Sequence, residues 1–152
     1  CTIITRALLR KEANKDWVDF SHDGDCSFAG VYQPPLPTKN SADDEFILTS
    51  NYHDVWEFLR LPPRAKVIDI QTGARRICTM DYERLTQYNS LLDIPVKDED
   101  LYQFCFRATL TFEMLHSGYG FPLHYEIQAA DVVNGQKLGW ALGSTLYEIN
   151  TL

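Results

Sequence analysis

The chain has 152 residues, a formal charge of −7 and a pI near 5.0, so it carries no basic stripe with which to neutralise nucleic-acid phosphates or an anionic membrane surface. Apolar residues at 45% and aromatics at 12% supply a real core and exclude intrinsic disorder. No apolar run approaches the roughly 18 residues of a membrane-spanning helix; no stretch reads as a signal peptide, and a start at Cys1 leads us to expect a fragment or processed product of a longer protein.

Thr2 to Ala13 reads as a short helix, with Ile3, Ile4, Ala7, Leu8 and Leu9 apolar and Arg6, Arg10 and Lys11 solvated. Asn14 to Asp25 is polar and contains an Asp23-Gly24 turn signal. Its Asp19, His22, Asp23 and Asp25 lack the register and closing glutamate of a calcium loop, so it reads as a solvated loop. Phe28, Gly30, Val31 and Tyr32 suit a short extended piece, after which Pro34, Pro35 and Pro37 hold the chain out of any helix. Thr38 to Glu45 is a polar loop. Helix returns from about Ser50 to Leu61, where Tyr52, Val55, Trp56 and Leu59 share a face, and Pro62-Pro63 stops it. Arg64 to Cys78 is moderately helical, weakened at Gly73 by about 1 kcal/mol relative to alanine, and Asp81 to Tyr88 forms another short helix before Pro95.

The clearest helix follows. Leu101, Phe104, Cys105, Ala108, Phe112 and Leu115 recur at helical spacing and build one apolar stripe. Asp98 is the expected N-cap, Glu99 and Asp100 favour the positive end of the helix dipole, and Gly118 is the expected terminator. An alternating segment, Leu123 to Ala129, then reads as a strand, Asn134-Gly135 as a turn, and Leu138 to Gly143 as the opening of a last amphipathic helix.

Four cysteines, Cys1, Cys26, Cys78 and Cys105, are too dispersed for a zinc site, and composition leaves free cytosolic thiols and secreted disulfides equally open. No nucleophile elbow, P-loop or dinucleotide loop is present; Gly118-Tyr119-Gly120 has Leu123 where a third glycine would stand. His116 and His124 have no nucleophile or carboxylate placed beside them by sequence, and Glu113 and Glu126 read as isolated, solvated carboxylates.

Three blocks nevertheless match one family in order. The run Cys26-Ser27-Phe28-Ala29-Gly30-Val31-Tyr32-Gln33-Pro34-Pro35 resembles the CSFNGVxQPP segment of the nucleoside triphosphate diphosphohydrolases, the apyrases and nucleoside diphosphatases. The helix through Leu115 followed by Gly118-Tyr119-Gly120-Phe121 resembles their L-L-x-x-GYGF block, and Gly139-Trp140-Ala141-Leu142-Gly143 their GWxLG block. The resemblance spans nearly all of this chain and the C-terminal third or so of a family member. It implies an α/β fold, here α-rich: part of the second RNase H-like lobe of an actin and sugar-kinase-like two-lobed architecture. Residues 1–137 would be the partial nucleobase-binding lobe, and residues 138–152 a final helix packing toward the missing N-terminal lobe, with Gly139, Trp140 and Gly143 as its structural motif.

The resemblance further implies hydrolysis of nucleoside tri- or diphosphates by in-line attack of water, activated by a glutamate and assisted by Ca2+ or Mg2+. The phosphate-binding loops, the glutamate and the metal ligands are expected upstream, so the chain alone is expected to be inactive and to contain no catalytic residue. Cys78 and Cys105 match the positions of a family disulfide; Cys1 and Cys26 match cysteines whose usual partners are absent, Ser21 standing in place of the one for Cys26. Phe104 matches one of two aromatic residues that sandwich the base. Tyr52 is nearest to the second, although strict alignment puts Asp54 there. Asp100 replaces an arginine of relatives, which raises the question of whether Glu99 or Asp100 reads a guanine edge. Expected partners are nucleotides and the missing lobe, without nucleic acid; the expected location is the secretory lumen or outside the cell, with room for a membrane anchor beyond this chain. The alternative is a secreted, disulfide-stapled interaction domain without activity, and a cytosolic actin-like ATPase would instead require free thiols.

Overall fold

The computed structural model describes residues 1–9, 33, 36, 46–137, 144, 145 and 147–149. The expectations for residues 10–32, Pro34-Pro35, residues 37–45 and the block from Leu138 to Gly143 therefore fall outside the described residues, Cys26, Gly139, Trp140 and Gly143 among them.

The apolar stripe around Phe104 becomes the axis of the molecule. Leu101, Phe104, Ala108, Phe112 and Leu115 are all buried, and helix α6 (Phe104–Glu113) has helices α1 (Thr2–Leu9), α2 (Asn51–Phe58) and α3 (Val67–Cys78) packed against it. The segment is not one uniform helix. A four-residue helix α5 (Asp98–Leu101) precedes α6, and between them the Gln103 amide donates to Asp100 O at 3.0 Å, a three-residue closure that tightens the helix locally without reversing it. The N-cap is Lys97, in extended conformation, rather than Asp98, which sits inside the first turn beside Glu99 and Asp100. At the other end α6 widens into a π turn (Met114–Gly118), and the left-handed residue that ends it is Gly120, φ +84°, not Gly118.

α3 buries Val67, Ile70, Ala74 and Ile77 at helical spacing, and Asp69 accepts the Lys66 amide at 2.9 Å to close its first turn. Gly73 has a packing reason: a Cβ there would meet three Leu59 side-chain atoms at 3.1–3.3 Å. Helix α4 (Tyr82–Ser90) starts on Asp81, whose carboxylate accepts the Arg84 amide at 2.9 Å.

Three short strands make a sheet in the order β1 (Ile47–Leu48), β3 (Glu126–Ala129), β2 (Arg64–Lys66). β1 runs parallel to β3, with Leu48 opposite Ala129, and β2 antiparallel, with Ala65 opposite Ile127. Residues 64–66, expected to be helical, are thus extended: Pro62-Pro63 keeps Leu61 and Pro62 out of helix, and β3 offers its edge for pairing to the backbone that follows. The predicted strand Leu123 to Ala129 shortens to β3, in which Ile127 and Ala129 face the core. β4 (Val132–Val133) and β5 (Gln136–Lys137) pair across Asn134-Gly135, whose φ values of 52° and 77° are those a two-residue hairpin requires. The result is a mixed α/β architecture.

The Cys78–Cys105 disulfide joins the end of α3 to the start of α6, with Cα atoms 4.9 Å apart. Cys1 is a free, exposed thiol. Glu113, read from sequence as solvated, is fully buried: Arg6 Nε of α1 lies 2.8 Å from its Oε2, and the Ser117 hydroxyl donates to the same oxygen.

Candidate functional site

A cleft of about 600 Å³ opens between one face of α2, the connection from α4 to α5, and the first turn of α6. Each wall has a local cause. α2 presents His53, Asp54 and Glu57 to the cleft because its Val55, Trp56 and Phe58 are committed to the core. Its C-terminus turns sharply: the Leu61 amide donates to Trp56 O at 3.2 Å and Arg60 takes φ 55°, the left-handed position that normally favours glycine. The Trp56 indole then donates to Pro62 O at 2.6 Å, pinning the chain beyond the turn.

The opposite wall, residues 91–96, has no regular structure and is held by one buried side chain. Asn89 donates through Nδ2 to Val96 O at 2.8 Å and accepts the Val96 amide at 2.9 Å, so its amide group pairs with the loop as a strand neighbour would. Asp93, Ile94 and Pro95 are thereby presented to the cleft.

Phe104 lies on the floor, 2% exposed. The Phe58 ring stacks on it with centroids 4.0 Å apart and planes 25° apart, and Tyr88 in turn packs edge-on against Phe58. The guanidinium carbon of Arg107 lies 4.6 Å above the Phe104 centroid. Two groups this close to one ring centre cannot share a face, so Arg107 covers the side that Phe58 leaves. Its Nη2 is 3.3 Å from Asp54 Oδ2 and 3.4 Å from Asn51 Oδ1, and its side chain remains 28% exposed. Both residues line the cleft, and Arg107 is the more exposed of the two.

Tyr52, the other aromatic singled out from sequence, is not among the residues lining this cleft. It points toward the π turn, with its hydroxyl donating to Met114 Sδ at 3.6 Å; burial, and then the nearby Tyr119, raise its pKa above the ordinary tyrosine value. Asp54, one helical step from His53, stands on the cleft instead. His116 accepts a structural role: its Nδ1 is 2.9 Å from Phe121 O and its ring packs on Phe112, while His124 is exposed. Arg107 was not singled out from sequence, although it lies three positions after Phe104, the spacing at which helical side chains meet.

Comparison with known proteins adds what the geometry alone leaves open. All 152 residues match the family described as GDA1/CD39 (nucleoside phosphatase), and the chain belongs to that family. It is similar to a guanosine-diphosphatase of Candida albicans, 30% identical over 142 residues, which are 93% of this chain and 23% of that protein. A guanosine-diphosphatase of Saccharomyces cerevisiae is 24% identical over 146 residues, 96% of this chain and 27% of its own length. Ectonucleoside triphosphate diphosphohydrolase 7 of Homo sapiens is 27% identical over 158 residues, 95% of this chain and 26% of its own. The chain spans about a quarter of the length of these relatives.

Proposed function

We propose that this chain is the nucleobase-side, C-terminal portion of a nucleoside tri- or diphosphate hydrolase, and that the cleft over Phe104 holds the base while residues outside the chain cut the phosphate. The observation that carries the proposal is the family match over residues 1–152; the cleft built around the family's stacking position supports it. Residues 1–137 then form part of the second lobe of an actin-like, two-lobed enzyme, and residues 138–152 its closing helix. The names of the relatives point to GDP and nucleoside triphosphates as the substrates to try first.

Ca2+ or Mg2+ would serve this reaction by offsetting the negative charge of the phosphate groups. Among the described residues no group of three histidine, cysteine, aspartate or glutamate side chains converges to hold such an ion. The disulfide supports a home in the secretory lumen or outside the cell, where such bridges persist. The test is phosphate release from ATP, GDP and UDP by the full-length parent protein with Ca2+ or Mg2+. We expect metal-dependent release from at least one of them; release from none would refute the proposal and favour a non-catalytic domain of the same fold.

A further inference from the structure

The cleft offers a base something other than an aromatic ring. We propose that the Arg107 guanidinium is the plane on which the base lies and that Asp100 reads its edge, so that the site selects guanine; this rests on the nucleobase reading of the cleft given above. Arg107 is placed for the first task. Phe104 lies beneath its plane, and Asp54 and Asn51 hold its edge, so its side chain is ordered before any ligand arrives. A guanidinium is flat, weakly hydrated and stacks on π faces, and the Arg107 side chain lines the cleft while keeping part of its surface exposed. A lysine in its place would keep the charge and lose the plane.

Asp100 supplies the second part. It lines the same cleft, half-buried, whereas the neighbouring Glu99 is exposed and lies 3.7 Å from Lys97. Oδ1 of Asp100 receives one long hydrogen bond, from Gln103 Nε2 at 3.4 Å, and among the described residues no cation pairs with the carboxylate. A carboxylate only accepts hydrogen bonds. Guanine alone among the common bases presents two adjacent donors, N1–H and the 2-amino group. Adenine and cytosine set a ring-nitrogen lone pair beside their one amino group, and uracil sets carbonyls on both sides of its single N–H. Each of those would press a lone pair against the carboxylate and leave it partly unsatisfied in a half-buried site.

The experiment compares GDP, IDP, XDP and UDP as substrates of the full-length protein. Wild type is expected to favour GDP over UDP, and over IDP, which lacks the 2-amino group, by about tenfold or more in kcat/KM. Asp100→Asn places an amide donor where xanthine carries its 2-oxygen. It should lower the GDP:UDP ratio by about tenfold and raise activity on XDP, a gain that a merely structural aspartate would not give. Arg107→Lys should raise KM for GDP and UDP alike at unchanged kcat. Equal use of GDP, IDP and UDP by wild type would overturn the proposal without needing any variant to fold. An unchanged base ratio and unchanged XDP activity in Asp100→Asn would do the same. Activity on no nucleotide at all would remove the hydrolase reading itself, a distinguishable result.

Discussion

Tyr88 shows how one hydroxyl supports the cleft from below. It donates to Phe58 O at 2.6 Å, accepts from Arg76 Nη2 at 3.3 Å, and sets its ring against the Phe58 that carries Phe104. Burial pushes its pKa above the usual tyrosine value, an effect that the nearby Arg76 and Arg60 only partly offset. The folded protein therefore keeps this proton at pH values where the unfolded chain, titrating near 10, has lost it. The contribution is whole below about pH 10 and falls away as the pH climbs from there toward the folded value. Urea midpoints from pH 8 to 11.5 should decline less steeply in Tyr88→Phe than in wild type, from a plateau lower by about 1 kcal/mol for the lost hydrogen bond. Residue-scale features such as this were only partly legible in the sequence. Arg107 stood at a helical neighbour's spacing from Phe104 and could have been found that way. Glu113 could not, because the partner that lets it be buried lies in another helix and no local pattern links the two.

At the scale of elements, propensity and packing pull against each other at Gly73. Alanine there would gain about 1 kcal/mol of helix propensity. Its methyl group, however, would meet Leu59 Cβ at 3.3 Å as well as both Leu59 methyls, so rotation of a flexible side-chain end does not clear the contact. Overpacking of this kind costs about 1–3 kcal/mol. We expect Gly73→Ala to be less stable by about 1 kcal/mol, read as a lower thermal midpoint; a higher midpoint would show that Leu59 yields. The apolar stripe of α6 was legible, as were the helical character of residues 67–78, the start of α4 on Asp81 and the turn at Asn134-Gly135; the buried face of α3, Val67, Ile70, Ala74 and Ile77, was not. What sequence missed was the strand at Arg64–Lys66, which is three residues long and exists through its pairing with β3, some 60 positions later.

For the whole molecule, ordered motif blocks proved more informative than composition, which left the state of the cysteines open. The Cys78–Cys105 bridge spans 27 positions and fastens α3 to α6, the pair of helices most extensively packed on each other. In the chain-entropy account, closing such a loop restricts the unfolded ensemble by about 3.5 kcal/mol. Replacing both Cys78 and Cys105 by serine should lower the stability of the oxidised protein by that order, measured as a shift in the denaturant midpoint. Added reductant should shift wild type toward the midpoint of the variant. The cleft itself was legible only as a position, Phe104, because its walls are made by α2, the loop pinned by Asn89, and α6, which the fold alone brings together.

The ion pair between Arg6 and Glu113 has a consequence in time. Its members stand 107 positions apart, so α1, made early in this chain, has its anchoring partner only after most of the remainder has been synthesised. Until then Arg6 has nothing on α6 to hold, and Glu113 cannot be shut away from water without a buried, uncompensated charge. A contact of such long reach is also slow to form, since the intervening loop must close before it is rewarded. Within this chain the order of synthesis and the order of assembly are thus reversed for this helix: α1 precedes α6 in the sequence and is secured only once α6 is in place.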